Sequence, residues 1–265
     1  SEGTLQLRDA ASGEARHELK GHRGPVAAAY SPDGRLLASA GEDGGIRLWE
    51  TETGHPAGRL VSSGPTVRRL SFRPDGRRLT AVDAAGTATL WDLGPDRRAE
   101  GTSFAGCLDF VWSPDGRRVA KLTRAGVKIA GPEGLDDSPP LPKSGASTQV
   151  VRWAPDGRTL YGLTAGGRVI AWDVSRGTVS REWAAHPGAE AALAVSPDGR
   201  HLVTGGSEAR VKIWDVETGR LAYEIPCHSA RVRDVAMSRD GRRLLSGADD
   251  TTAKMIELWQ TLNFS

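Results

Sequence analysis

SPDGR at residues 31–35 returns as RPDGR at 73–77, SPDGR at 113–117, APDGR at 154–158, SPDGR at 196–200 and SRDGR at 238–242. The aspartates of the six stretches are Asp33, Asp75, Asp115, Asp156, Asp198 and Asp240, at intervals of 42, 40, 41, 42 and 42 residues. Proline sets φ at the first turn position, Asp bonds back to the backbone, and Gly takes the φ > 0 position that closes a hairpin with a bulge. A period of about 40–45 residues decides an architecture before any local motif does.

Aligned on these triplets, each repeat has four parts. An alternating apolar run such as VRDVAMS (232–238) or VVRWA (150–154) reads as a half-buried strand and leads into the turn. Runs such as RLLASA (35–40) and HLVTGG (201–206) follow, then a second Gly-containing turn. Next come IRLWE (46–50), ATLWD (88–92), VIAWD (169–173) and VKIWD (211–215). A Thr-Gly turn, as at Thr53–Gly54 or Thr218–Gly219, leads to a more polar fourth strand such as RLAYEI (220–225). No stretch reads as a long amphipathic helix. A lone four-stranded sheet cannot bury both faces; stacking such sheets radially buries them and hides strand edges, so the pattern predicts an all-β propeller.

Composition agrees. Gly (33) and Pro (15) suit many turns and short strands, and 35 Lys+Arg against 33 Asp+Glu leaves a formal charge of +2. That balance and the 6% aromatic content disfavour nucleic acid as a ligand. The excess of Arg (29) over Lys (6) reads as GC-rich, bacterial coding. Cys107 and Cys227 read as buried small hydrophobes. With no secretory or membrane-spanning run, the expected location is the cytoplasm.

The repeats resemble the WD40-repeat propeller family. The resemblance rests on Gly21–His22 ahead of the first strand, the Trp-Asp pairs at 91–92, 172–173 and 214–215, and Trp49–Glu50. It covers nearly the whole chain, read as one domain over 1–265. It implies four-stranded antiparallel blades: six complete repeats starting near 22, 63, 103, 144, 186 and 228. GTLQLRD (3–9) and GEARHELKGH (13–22) form a half blade before them. The count stays open between six and seven blades; the tail 258–265 is short for the two missing strands, so an incomplete seven-bladed ring, part of a longer chain, is expected.

The resemblance also implies a hydrogen-bonded set in each blade: His before the first strand, Ser/Thr on the second, Asp in the next turn and Trp on the third. One blade carries His22, Ser39, Asp43 and Trp49. Another carries His186, Thr204 and Trp214, with Glu208 for Asp. The last carries His228, Ser246 and Asp250, with Ile256 at the Trp position. In the middle blades Ser63, Ser103 and Ser144 replace His, and Ala85, Arg124 and Gly166 replace Asp. Recurrence at family spacing makes these sets structural and not hydrolytic triads. The chain has no G-x-S-x-G elbow, no H-x-x-x-H and no C-x-x-C, so no catalytic residue, metal or cofactor is expected.

Propellers of this family bind proteins or peptides on the top face. Carried over, the contact positions at the strand starts are Thr66, Arg68, Gln149, Arg231 and Arg233. From the turns come Glu42, Thr123, Ser207 and Asp249. The arginines suit bidentate contacts to an acidic or phosphorylated peptide, and a closed ring would gather all three on one side. An enzymatic propeller would need acids converging from several blades, and these positions supply only Glu42 and Asp249. The segment GPEGLDDSPPLPKSG (131–145) holds four prolines, so the fourth strand of that blade is expected to be an exposed loop. The expected function is a non-enzymatic interaction scaffold or sensor. The resemblance offers as hosts larger bacterial kinases or STAND-class NTPases, with the propeller as an autoinhibitory or ligand-sensing part.

Overall fold

The computed structural model describes residues 2–9, 12–24, 27–62, 64, 66–94, 101–134, 138–143, 145–188 and 192–258. Ser63, Ser144 and the tail 259–265 lie outside the described residues. The chain is an all-β propeller of antiparallel sheets, each built from consecutive strands. A half blade pairs Glu2–Arg8 with Ala15–Arg23. Blade one holds Ala27–Tyr30, Leu36–Ala40, Gly45–Glu50 and Pro56–Val61. Blade two holds Val67–Phe72, Arg78–Asp83, Ala88–Asp92 and Gly101–Phe104. Blade three holds Cys107–Trp112, Val119–Thr123 and Gly126–Ala130.

Blade four holds Thr148–Trp153, Thr159–Thr164, Arg168–Asp173 and Thr178–Ala184. Blade five holds Ala192–Val195, His201–Gly205, Arg210–Asp215 and Leu221–Pro226. Blade six holds Val232–Met237, Arg243–Ala248 and Ala253–Glu257. Blades three and six therefore have three described strands where the period predicted four. Contacts group the chain into two compact units, residues 1–124 with 130–136, and residues 125–129 with 137–265.

The recurring pentapeptide is the corner between first and second strands. In every copy the Gly N–H donates to the carbonyl three residues back, as from Gly34 to Ser31 at 2.9 Å. The six glycines sit at φ between 63° and 73°, where a Cβ would strain the turn. Where the first residue is Ser, its hydroxyl locks the corner. Ser31 Oγ donates to Asp33 Oδ1 at 2.6 Å and accepts Leu36 N–H at 2.9 Å. Ser113, Ser196 and Ser238 repeat that pair of bonds. These serine bonds are the largest influence holding the Asp33, Asp115 and Asp240 carboxyls below the usual range.

Within each unit, packing joins neighbouring sheet faces. In the first unit Ala38, Ile46, Leu48 and Leu60 of blade one meet Val67, Phe72, Leu79 and Trp91 of blade two. In the second unit Val203, Val211 and Ile213 of blade five meet Val232, Val235 and Leu244 of blade six. Val203 and Ile213 are thereby sealed, whereas Leu245 and Met255, at the same register in blade six, are about half exposed. Trp91 and Trp172 are sealed as well. A buried indole removes about 150–250 Å² from water, worth roughly 4–6 kcal/mol as an upper bound.

The proline-rich segment departs from the sheet, yet it is not a free loop. Leu141 N–H donates to Val127 O at 2.7 Å, and Pro142 O accepts the Trp172 indole N–H at 2.9 Å. The indole needs that partner because Gly162 stands at the register where blade one has Ser39. A Cβ on Gly162 would lie 2.5 Å from two carbons of the Trp172 ring. Gly162→Ala should cost about 1–3 kcal/mol through overpacking, measured by urea unfolding. Thr251 is a β-branched residue at φ 63°, in the turn position that blade one fills with Gly44 at φ 66°. Thr251→Gly should raise stability by up to about 1 kcal/mol, read as a higher Tm.

Candidate functional site

Three buried polar chains tie strands together. In blade one, Trp49 Nε1–H donates to Ser39 Oγ at 2.7 Å, and Ser39 lies 2.8 Å from His22 Nε2. His22 Nδ1 lies 3.1 Å from Asp43 Oδ1. An indole can only donate, so the Ser39 hydroxyl gives its proton to Nε2 and the imidazole donates from Nδ1 to Asp43. In blade five the corresponding bonds are Trp214 to Thr204 at 2.8 Å, Thr204 to His186 at 2.8 Å and His186 to Glu208 at 2.9 Å. The longer Glu208 also receives Lys212 Nζ at 2.8 Å.

In blade six His228 joins Ser246 at 2.8 Å and Asp250 at 2.9 Å. Ile256 offers no indole, and the buried Cys227 Sγ lies 3.8 Å from Ser246 Oγ instead. Ser39, Thr204 and Ser246 have no exposed surface. A hydroxyl that is sealed, and in two blades already holds an indole proton, cannot attack a substrate. These chains are cross-links and not triads.

A second set of residues lies at the other end of the blades from the PDG corners. Pairing shifts by one residue between Val67 and Arg69, Cys107 and Asp109, Thr148 and Val150, and Val232 and Asp234. Arg68, Leu108, Gln149 and Arg233 therefore stand at β-bulges at the strand starts, where the extra residue re-aims its side chain. All four are exposed. Leu108, 51% exposed, was passed over by the sequence reading, because an apolar residue in a strand gives no sign that a bulge turns it outward.

Backbone bonds hold these starts against the turns between second and third strands: Ala84 N–H donates to Thr66 O at 2.7 Å and Asp249 N–H to Arg231 O at 2.9 Å. Arg231 Nε lies 3.3 Å from Asp249 Oδ2 and Arg233 Nε lies 2.6 Å from Asp249 Oδ1. Two guanidinium groups thus share one carboxylate. Bonding from Arg233 first, then Arg231, holds the Asp249 carboxyl below the usual range. Thr66, Arg68, Glu42 and Thr123 belong to the first unit, and Gln149, Ser207, Arg231, Arg233 and Asp249 to the second. Glu42 and Ser207 are exposed in their own turns.

Comparison with known proteins places these repeats. The family model described as "WD domain, G-beta repeat" matches residues 13–50, 177–215 and 219–257. The chain is 34% identical over 110 residues to the small ribosomal subunit protein RACK1y of Oryza sativa subsp. japonica, covering 38% of this chain and 32% of that protein. It is 34% identical over 91 residues to the eukaryotic translation initiation factor 3 subunit I of Candida albicans, covering 32% and 26%. A serine-threonine kinase receptor-associated protein of Bos taurus is 49% identical over 55 residues, covering 20% and 16%. The chain spans about a third or less of the length of these curated relatives. The chain is a β-propeller in which three stretches match the WD40 repeat. The relatives named are eukaryotic, so nothing in them bears out the bacterial origin that the arginine usage suggested.

Ser39→Ala would strip partners from both the Trp49 indole and the His22 imidazole. A loss of about 2–5 kcal/mol is expected, read by denaturant unfolding. Burial, outweighing Glu208, pushes the His186 imidazole pKa below its ordinary value of 6.5. Folding then favours the neutral ring, so this contribution is complete above pH 6.5 and is lost as pH falls towards the depressed folded value. Urea titrations at pH 7.5, 6.5 and 5.5 should show falling stability, with a shallower fall in His186→Gln.

Proposed function

We propose that this propeller is a non-enzymatic protein-interaction module. It binds a protein or peptide through the strand-start end of its blades, and an acidic or phosphorylated segment suits it best. The observation that carries this reading is the cluster of Arg231 and Arg233 converging on the carboxylate of Asp249. It places two guanidinium groups, each able to make paired hydrogen bonds to a carboxylate or phosphate, on rigid strand starts. Beside the cluster, Gln149 and Ser207 of the second unit would add polar contacts. In the first unit Arg68, exposed at the equivalent bulge of blade two, with Thr66 and Glu42 would offer the same kind of surface.

Names such as initiation factor subunit and receptor-associated protein belong to the relatives, and they fit a part that works by holding other proteins. The two free, buried cysteines suit a reducing compartment such as the cytoplasm. Work within a longer polypeptide, in a bacterial signalling kinase or NTPase, would present the same surface to a neighbouring domain.

A fluorescent poly-glutamate decapeptide tests the reading. Arg231→Glu with Arg233→Glu should weaken its binding at least tenfold, and Asp249→Asn should strengthen it several-fold. Equal binding by all three proteins would remove the arginine cluster from the interaction. Affinity capture with the same variants, adding Arg68→Glu, should lose the natural partner.

A further inference from the structure

Blades five and six, both in the second unit, leave a cleft of about 360 Å³ between their PDG corners. Its floor is apolar, formed by Ile213 and Met237, and its walls carry Asp198, His201 and Asp240. That volume is at the small end of the range for ligand clefts, roughly 300–1,000 Å³, and suits one long side chain.

The same corner in the first unit shows what chemistry fills it. Between blades two and three, the Arg73 guanidinium lies over the Trp112 ring, 5.5 Å from its centroid. Its Nε donates to Gly116 O at 3.0 Å, and its Nη1 stands 3.5 Å from Asp75. In the repeat alignment Ser196 takes the place of Arg73, Met237 of Trp112, Gly241 of Gly116 and Asp198 of Asp75. A Cβ placed on Gly116 would meet Arg73 Nε at 3.0 Å, whereas one on Gly241 meets nothing nearer than Pro197 Cδ at 3.7 Å.

Two substitutions have thus removed a guanidinium and an indole and kept the surroundings that receive them. The Asp198 and Asp240 Oδ1 atoms are engaged within their own turns, by Ser196 and Arg200 and by Ser238 and Arg242. That leaves each second carboxylate oxygen to face a ligand.

We propose that this cleft binds one arginine side chain of a peptide partner. The guanidinium lies between the Asp198 carboxylate and the Gly241 carbonyl, and the aliphatic stem rests on Met237. Arginine fits better than lysine because its planar head donates to two acceptors at once. Arg239, exposed at the rim, opposes further cations and restricts the site to a single basic residue, not a basic run. The cleft is at the opposite end of blade six from the Arg231–Asp249–Arg233 cluster, so it stands or falls apart from the function proposed above.

The sequence holds two methionines, Met237 in the cleft and Met255, half exposed on the other face of blade six. With both methyl groups labelled with carbon-13, NMR can titrate acetyl-Gly-Gly-Arg-Gly-Gly-amide against its citrulline counterpart. The Met237 methyl should shift saturably with the arginine peptide while Met255 stays in place. The citrulline peptide should bind at least tenfold more weakly, and Asp198→Asn should weaken the arginine peptide at least fivefold. Ser196→Arg should fill the cleft from within, moving the free Met237 signal and abolishing the titration. A still Met237, equal shifts from citrulline, parallel movement of both methionines, or full binding by Ser196→Arg would each overturn the proposal.

Discussion

A sheet of strands five or six residues long has two faces and too little area to hide either by itself. Every other feature of this chain answers that constraint. Within each unit blades give their apolar faces to neighbours, as blade five does to blade six through Val203 and Ile213 against Val232 and Val235. The arrangement demands identical corners at a constant period, because a corner out of register would turn strands over and expose their buried faces. The glycines of the six Asp-Gly corners, held within a 10° spread of φ, meet that demand. Leu245 and Met255 of blade six, by contrast, leave about half of their surface in water.

The polar chains are a second layer laid over this packing. Blades one, five and six keep His, a hydroxyl and an acid in one line, each group satisfied by the next. Blades two and four lack the line and stand nonetheless, with Trp91 and Trp172 fully buried. Blade four replaces the missing hydroxyl with a backbone carbonyl brought in from the proline-rich segment. At Trp172 the pairing of a buried indole N–H is thus met by a different group from the one that meets it at Trp49.

The candidate interaction surface draws on irregularity instead of repetition. In four blades a β-bulge at the start of the first strand swings one side chain outward, and the identity of that side chain differs among them: Arg68, Leu108, Gln149, Arg233. Such positions carry no packing duty, so they are free to encode a partner. The same freedom appears at the PDG corners, where Arg73 over Trp112 in one place becomes Ser196 beside Met237 in another.

Much of this was legible in the residues alone. The period, the PDG turn chemistry and the alternation of apolar residues determine an all-β array of blades, because turn geometry and hydrophobic alternation are local properties that sequence states directly. The positions of His22, His186 and His228 followed from registration of the repeats. Other features depended on through-space distances between segments that no pattern relates. Sequence could not say that Arg231 and Arg233 close on one Asp249, nor that Pro142 supplies the acceptor for Trp172. It gave no sign that Leu108 is turned out of its strand. Nor could it show that replacing Arg73 and Trp112 by Ser196 and Met237 opens a cleft. Those facts are decided by which backbones pack side by side, and only the tertiary structure contains them.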